Sequence, residues 1–143
     1  MDTQRFDALV VGAGMAGATV AAQLSARRRV AILEAEESAG FHATGRSAAL
    51  WLGSYGGADA RILTAASRPF FENPPPGFAA APLIRHRPVV HLAPAAQAKH
   101  LEQMIAEGAG IVPLSVERAH ALCPALKPGF ATAAGIEEDC FDI

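Results

Sequence analysis

The chain has 143 residues, of which 51% are hydrophobic and 18% charged, and its formal net charge is −2 at pH 7. This length is enough for a domain with its own core, and the small charge gives no reason to expect nucleic acid or an anionic membrane as a partner. The two cysteines, Cys123 and Cys140, lack metal-ligand spacing, so the sequence predicts no metal site and free thiols in a cytoplasmic protein. No secretory signal and no integral membrane segment are recognised.

The first segment, residues 6–34, is predicted to form a strand, a glycine-rich turn, a helix and a second strand. The apolar runs Phe6–Val11 and Val30–Leu33 are typical of buried parallel strands. The turn between the first strand and the helix fits G-x-G-x-x-G, and an acidic residue, Glu34, follows about 20 positions later. Because of this context, the motif indicates a site that binds a dinucleotide.

Each residue of the motif has a physical role in such a site. Gly12 permits the tight turn, Gly14 lets the backbone approach a pyrophosphate, and Gly17 lets the helix pack near the sheet. The helix N-terminus offers unpaired N–H groups and a positive dipole end to the phosphates. Glu34 is expected to accept both ribose hydroxyls, which favours FAD or NAD over NADP.

The helix of this first segment is expected at 18–28. After residue 34 the pattern changes: helices are expected at 59–71, with Pro69 as a kink position, at 95–107, and from an N-cap at Ser115 to Leu122. Strands are expected at 83–92, bent at Pro88, and at 131–136. Because only one βαβ unit is visible, we expect this α/β chain to be the N-terminal part of a larger protein with an incomplete fold.

The loop Gly40–Ala49 carries the second functional signal. Gly45 gives backbone freedom, Arg46 supplies a cation, and Ser47 supplies a hydroxyl and an N–H group. The small Ala48 and Ala49 leave room for a flat ring against the backbone. This combination favours the pyrophosphate and isoalloxazine of FAD, while an NAD-linked reductase remains the alternative.

The sequence resembles the D-amino-acid oxidase (DAO) type of FAD-dependent oxidoreductases, and most of all their bacterial D-arginine dehydrogenase branch. The resemblance lies in GAGMAG (12–17), GFHATGRSAA (40–49) and LTAASRPFFENPPPGF (63–78). It implies a Rossmann-like FAD-binding domain, here residues 1–80, and the beginning of an α+β substrate domain, residues 81–143. It also implies oxidation of the Cα–N bond of a D-amino acid or related amine by hydride transfer to flavin N5, with hydrolysis of the imino product to a keto acid and ammonia.

The resemblance also assigns site residues. Besides Gly12, Gly14, Gly17 and Glu34, the residues expected against FAD are Ala16, Ala35, Ala43, Thr44, Gly45, Arg46, Ser47, Ala48, Ala49 and Leu50. Tyr55 matches an active-site tyrosine on a mobile loop that covers the substrate, although a packing role beside Gly56 and Gly57 is an equal alternative. No catalytic residue is assigned.

Two positions bear on substrate and cofactor attachment. Members that act on D-arginine carry a Glu after the Arg-Pro pair, where this chain has Val89. A Val cannot accept the charge-assisted hydrogen bond of a guanidinium, worth about 1.5–3 kcal/mol, so a neutral or apolar amino acid is expected as substrate. His42 lies in an H-A-x-G context that some relatives use for covalent flavin attachment, but the nearer relatives favour noncovalent FAD.

The electron acceptor, oxygen or a quinone-linked carrier, is left open. A further alternative is that the 143-residue chain alone has no activity, because the residues expected to anchor the substrate carboxylate are not within it.

Overall fold

The computed structural model describes residues 4–143. By its internal contacts the chain forms two compact units, which divide after Ala48. The domain assignment made above, 1–80 and 81–143, is a different division and stays a prediction. None of the helices in residues 4–143 is long and apolar enough to cross a membrane.

The first unit is a βαβ unit with two parallel strands. Its elements are β1 (Ala8–Val11), α1 (Met15–Ser25) and β2 (Val30–Leu33). The ladder pairs Ala8 with Val30 and Val11 with Leu33. The predicted order of strand, helix and strand is therefore confirmed, although the helix begins at Met15 rather than at Ala18. It begins earlier because the turn is complete at Gly14, so Gly17 lies inside the first helical turn.

The strands of this unit are less buried than predicted. Val11 is 81% exposed, and Leu9, Ile32 and Leu33 are also exposed. Helix α1 packs against both strands, but a parallel sheet buries both faces only when it has a layer on each side. Among residues 4–48, α1 is the one α-helix that provides such a layer.

The second unit contains two three-stranded antiparallel sheets. One sheet has the order β3–β8–β4, and the other has the order β5–β7–β6. The strands of the first are β3 (Leu50–Leu52), β4 (Arg85–His86) and β8 (Cys140–Asp142). Those of the second are β5 (Val89–Ala93), β6 (Ile111–Leu114) and β7 (Ala133–Glu137).

Three helices complete the second unit: α2 (Ala58–Glu72), α3 (Ala98–Ala106) and α4 (Val116–Leu122). Buried Leu101 of α3 packs with Ala93 and Ile111 of the β5–β7–β6 sheet, and Met104, Ile105 and Ala133 surround them. At the start of α4, the Ser115 hydroxyl accepts a hydrogen bond from the Arg118 N–H at 3.1 Å. The predicted N-cap is therefore confirmed.

The structure corrects several element predictions. The strand expected at 83–92 is two strands, β4 and β5, which lie in different sheets on either side of Pro88. Proline cannot donate a ladder hydrogen bond, so the chain leaves one sheet before it and enters the other after it. Helix α2 continues past Pro69 to Glu72. The helix expected at 95–107 begins as a 3₁₀ turn, Ala95–Gln97, before α3.

Candidate functional site

The glycine-rich turn has the geometry that its sequence predicts. Gly12 has φ of +92°, in the left-handed region that favours glycine. A Cβ at Gly17 would lie 1.9 Å from the Gly12 carbonyl oxygen, so no larger residue fits there without moving the helix from the turn. Gly14 is the N-cap of α1 and has no side chain to cap it.

The loop after β2 supplies the missing cap. The Thr44 hydroxyl accepts a hydrogen bond from the Met15 N–H at 3.1 Å, and the Gly40 N–H donates to the Ala13 carbonyl at 3.1 Å. These two bonds hold the loop against the start of α1. The structure therefore brings together the two stretches that the sequence singled out separately, the glycine-rich turn and the loop that begins at Gly40.

The loop has a tight internal turn at its centre. The Gly45 N–H donates to the Gly40 carbonyl at 2.6 Å, and a Cβ at Gly45 would lie 2.6 Å from that same oxygen. A short 3₁₀ turn, Thr44–Arg46, follows from this geometry. Glycine at position 45 is thus needed to present the Thr44 hydroxyl to α1.

Glu34 follows β2 and is bound to the glycine-rich turn. Its Oε2 accepts the Ala13 N–H at 2.7 Å, and its Oε1 accepts the N–H groups of Ala35 at 2.8 Å and Glu36 at 3.1 Å. The hydrogen bond from Ala13, more than any other contact, lowers the pKa of this exposed carboxyl from its ordinary value of 4.5. The side chain therefore stays ionised and also fixes the turn.

The hydrogen bonds of Glu34 limit what else it can accept. A carboxylate has about four lone-pair sites, and main-chain donors occupy three of them. Oε2 keeps one free direction, so it can accept one ribose hydroxyl without disturbing the turn. Acceptance of both hydroxyls, as the sequence predicts, requires one N–H of the Ala35–Glu36 segment to be released.

These residues fit the adenine-dinucleotide part of FAD. The helix itself provides no partner for the Ala16 and Gly17 N–H groups of its first turn, and it carries no acidic residue there that would repel a phosphate. An anion is favoured at such a helix end by the dipole and by the free donors. The Thr44 hydroxyl takes the Met15 N–H, which leaves the Ala16 and Gly17 N–H groups as donors for a phosphate.

The remaining candidates of the first unit are exposed. They are Ala35, Ala43, Gly45, Arg46, Ser47 and Ala48. The Arg46 guanidinium lies 5.7 Å from the centre of the Phe41 ring. His42 Nε2 lies 2.7 Å from Glu36 Oε1. The mode of flavin attachment at His42 stays a prediction.

Four candidate residues belong to the second unit. Ala49 has φ of +51°, an uncommon conformation for a residue other than glycine. Leu50 begins β3, opposite Asp142. Tyr55 is 75% exposed in the segment between β3 and α2. Val89 begins β5, half-buried and paired with Glu137.

Sequence reasoning missed a buried polar cluster in the second unit, formed by Ser54, His91 and Glu137. These residues are far apart in the chain, and nothing in their local sequence patterns joins them. It also missed the capping role of Thr44, for which the signal was present: Gly14 at the N-cap leaves the helix start uncapped, and a hydroxyl residue lies in the neighbouring loop.

The comparison with protein families decides the class. Residues 7–142 match the model of the family described as FAD dependent oxidoreductase, DAO. The chain belongs to this family. The prediction of FAD as cofactor is thereby confirmed, and the NAD-linked reductase that the glycine motif left open does not fit a DAO family member.

Two solved structures share the fold. The FAD-bound, dithionite-reduced L-α-glycerophosphate oxidase from Mycoplasma pneumoniae is 18% identical, with a TM-score of 0.75 over 99% of this chain and 39% of its own. Glycine oxidase from Geobacillus kaustophilus is 24% identical, with a TM-score of 0.75 over 96% of this chain and 40% of its own. At such identities the likeness concerns the fold alone. The chain spans about 40% of the length of each structure.

Proposed function

We propose that the protein that carries this chain oxidises the Cα–N bond of a D-amino acid or a related amine. The substrate loses a hydride from Cα and a proton from nitrogen, and the resulting imino acid is hydrolysed by water to a keto acid and ammonia. FAD, when bound, would supply the hydride acceptor and so the redox chemistry. The residues of this chain bind the cofactor, orient it and shape the substrate site.

The observation that carries the FAD site is the hydrogen-bonded contact between the loop at Thr44 and the start of α1. Together with the Ala16 and Gly17 N–H groups in the first turn of α1 and with the Glu34 carboxylate, this contact supports a pyrophosphate at α1 and a ribose at Glu34. We assign the loop from Ala43 to Leu50 to the remainder of FAD. This assignment rests on the small side chains and on the resemblance to the DAO-type oxidoreductases.

The residue at position 89, Val89, supports a neutral or apolar amino acid as the substrate. We place Val89 at the substrate side chain on the basis of the D-arginine dehydrogenase resemblance. In the structure it is half-buried at the start of β5, where an aliphatic side chain offers no acceptor to a cation. The same resemblance assigns Tyr55 to the segment that covers the substrate.

Anaerobic reduction of the flavin tests this proposal. The FAD-loaded full-length protein is mixed with D-leucine, D-arginine, glycine and glycerol 3-phosphate, and loss of the oxidised flavin spectrum is followed. We expect D-leucine to reduce the flavin faster than D-arginine or glycerol 3-phosphate. Reduction by glycerol 3-phosphate alone, with no amine active, would contradict the proposal. The rate of reoxidation in air then separates an oxidase from a dehydrogenase that needs a quinone-linked carrier.

The substrate preference is tested by Val89→Glu. A carboxylate at this position is expected to raise kcat/KM for D-arginine by about tenfold to a hundredfold, the value of one charge-assisted hydrogen bond, and to lower it for D-leucine. Val112→Glu, the same change at an exposed position of β6, is the control and should alter neither value. If Val89→Glu leaves the ratio of the two substrates unchanged, Val89 does not contact the substrate.

A further inference from the structure

The second unit contains a buried carboxylate whose partners, Ser54 and His91, come from two parts of the chain that are far apart in sequence. Glu137 is 2% exposed. Its Oε1 accepts the Ser54 N–H at 3.0 Å, and its Oε2 accepts the Ser54 hydroxyl at 2.5 Å and lies 3.1 Å from His91 Nε2. A buried carboxylate is costly unless it is hydrogen-bonded. Both oxygens of Glu137 meet that condition.

The main chain of Glu137 is held on both sides. Glu137 is the last residue of β7, the central strand of its sheet, where it pairs with Val89 of β5 and with Ile111 of β6. A residue in a central strand has little freedom to move, because two ladders fix it. The carboxylate is therefore a rigid anchor for Ser54, which is 83 residues away in sequence.

Ser54 precedes an exposed segment whose first N–H, that of Tyr55, donates to the Leu52 carbonyl at 3.4 Å. Tyr55 is exposed, Gly56 has φ of +83°, and Gly57 is the N-cap of α2 without a side-chain capping bond. From Tyr55 to Gly57 the chain therefore carries one large side chain and two glycines. The segment follows Ser54, which Glu137 holds through side-chain contacts, and it ends at the start of α2.

We propose that Glu137 is a positioning residue for Tyr55: by holding Ser54 through two hydrogen bonds, it fixes the point from which the Tyr55–Gly57 segment opens and closes. This inference rests on the proposed function, in which Tyr55 covers the substrate. Glu137 acts through Ser54 and is not a catalytic residue. His91 binds the same oxygen as the Ser54 hydroxyl and so helps to orient the carboxylate.

The chain offers variants that separate the two hydrogen bonds. Ser54→Ala removes the hydroxyl bond and keeps the N–H bond. Glu137→Ala removes both. Glu137→Gln keeps the shape of the side chain: its carbonyl oxygen can accept the Ser54 N–H, and its amide can donate to the Ser54 hydroxyl and to neutral His91. Ser67→Ala is the matched control, because it removes one hydroxyl bond, to the Thr64 carbonyl, inside α2.

Hydrogen exchange of the segment 53–57 in the FAD-loaded full-length protein is the first measurement. Loss of one hydrogen bond should speed exchange by about twofold to tenfold in Ser54→Ala, and loss of both should speed it further in Glu137→Ala. Glu137→Gln should stay close to the wild type, and Ser67→Ala should leave this segment unchanged. If Glu137→Ala does not fold, exchange in Ser54→Ala and Glu137→Gln still tests whether Glu137 holds the segment through Ser54. Unchanged exchange in Ser54→Ala overturns the proposal.

Steady-state kinetics with the best amino-acid substrate is the second measurement. A displaced substrate cover raises KM, by about tenfold for two lost hydrogen bonds, whereas a general loss of folded protein lowers the maximal rate per total protein and leaves KM alone. We expect the KM effect in Glu137→Ala and its rescue in Glu137→Gln. Faster exchange with unchanged KM overturns the positioning role. If no amine reduces the wild-type flavin, the proposed function fails, and exchange alone then decides whether Glu137 holds the segment.

Discussion

Glu34 has a structural role besides the ribose contact assigned to it. Three main-chain N–H groups donate to its carboxylate, one of them from the glycine-rich turn. Hydrogen bonds to the charged form of an acid favour that form, which is why the pKa is lowered from 4.5. Protonation of Glu34 should therefore loosen the turn and the FAD site together.

The pH dependence of stability follows from that shift. A carboxyl whose pKa is lower in the folded state contributes stability that is present above its unfolded value, 4.5, and is lost as the pH falls through the folded value. We expect the urea midpoint of the first unit to fall as the pH is lowered below 4.5. In Glu34→Gln this part of the pH dependence should be absent.

Glu36→Gln is the control for this prediction. It removes a neighbouring exposed carboxylate but keeps the Glu36 N–H that donates to Glu34. The fall of its urea midpoint at low pH should therefore match that of the wild type. An equal loss of midpoint in the wild type and in Glu34→Gln between about pH 5 and pH 3 would show that the hydrogen bonds of Glu34 do not stabilise the fold.

At the scale of single residues, the sequence predicts local backbone geometry well. The turn at Gly12 and the close packing at Gly17 depend on neighbours in the chain and were predicted. The partners of Glu137 were not predicted, because Ser54 and His91 are brought to it by sheets that pair distant strands. The three main-chain bonds of Glu34 were also missed, since the sequence shows a side chain's identity but not its competing donors.

Among the elements, helix α1 depends on a residue outside itself. The Thr44 hydroxyl accepts the Met15 N–H in place of an N-cap side chain. Thr44→Val keeps the volume and removes the acceptor, so we expect the unfolding free energy of the first unit to fall by about 1 kcal/mol. FAD affinity should fall as well, because the loop from residue 40 onward loses one of its two bonds to the turn. Urea unfolding and flavin titration measure the two effects.

Two variants control the Thr44 prediction. Thr44→Ser keeps a hydroxyl and should retain most of the stability. Thr132→Val removes a hydroxyl whose hydrogen bond to the Ala93 carbonyl is long, 3.5 Å, and should cost less. If Thr44→Val and Thr44→Ser are equally stable, the hydroxyl is not the cap.

The short strands show the limit of sequence-based prediction for elements. Strands β2 and β5 lie in apolar runs and were expected, although β5 was joined to β4. Strands β3, β6 and β8 were missed. β3 and β8 have three residues each, and they pair with one another although β3 lies near the beginning of the second unit's sequence and β8 near its end. β6 contains Pro113. Periodicity needs longer runs, and proline argues against a strand unless it lies at an edge, as β6 does.

At the scale of the whole molecule, burial differs between the two units. Of the buried hydrophobic residues, only Ala21 belongs to the first unit among residues 4–48. The second unit holds Trp51, Leu101, Ile111, Ala119 and Phe141 among others. Since local stability follows the number of buried apolar contacts, the second unit should be the more stable of the two.

Hydrogen exchange of the whole protein without FAD tests that order. Amides of β7, which is paired on both sides, should exchange slowest, and amides of β1 and β2 should exchange faster. Saturation with FAD should slow exchange at the glycine-rich turn and in residues 40–48, because a ligand that binds only the folded state stabilises it by RT ln(1 + [L]/Kd), about 2.7 kcal/mol at a hundredfold excess over Kd. β7 should change less, since its protection does not depend on the proposed phosphate site. Slower exchange in β7 alone, with no change at the turn, would place the cofactor away from α1 and contradict the assignment.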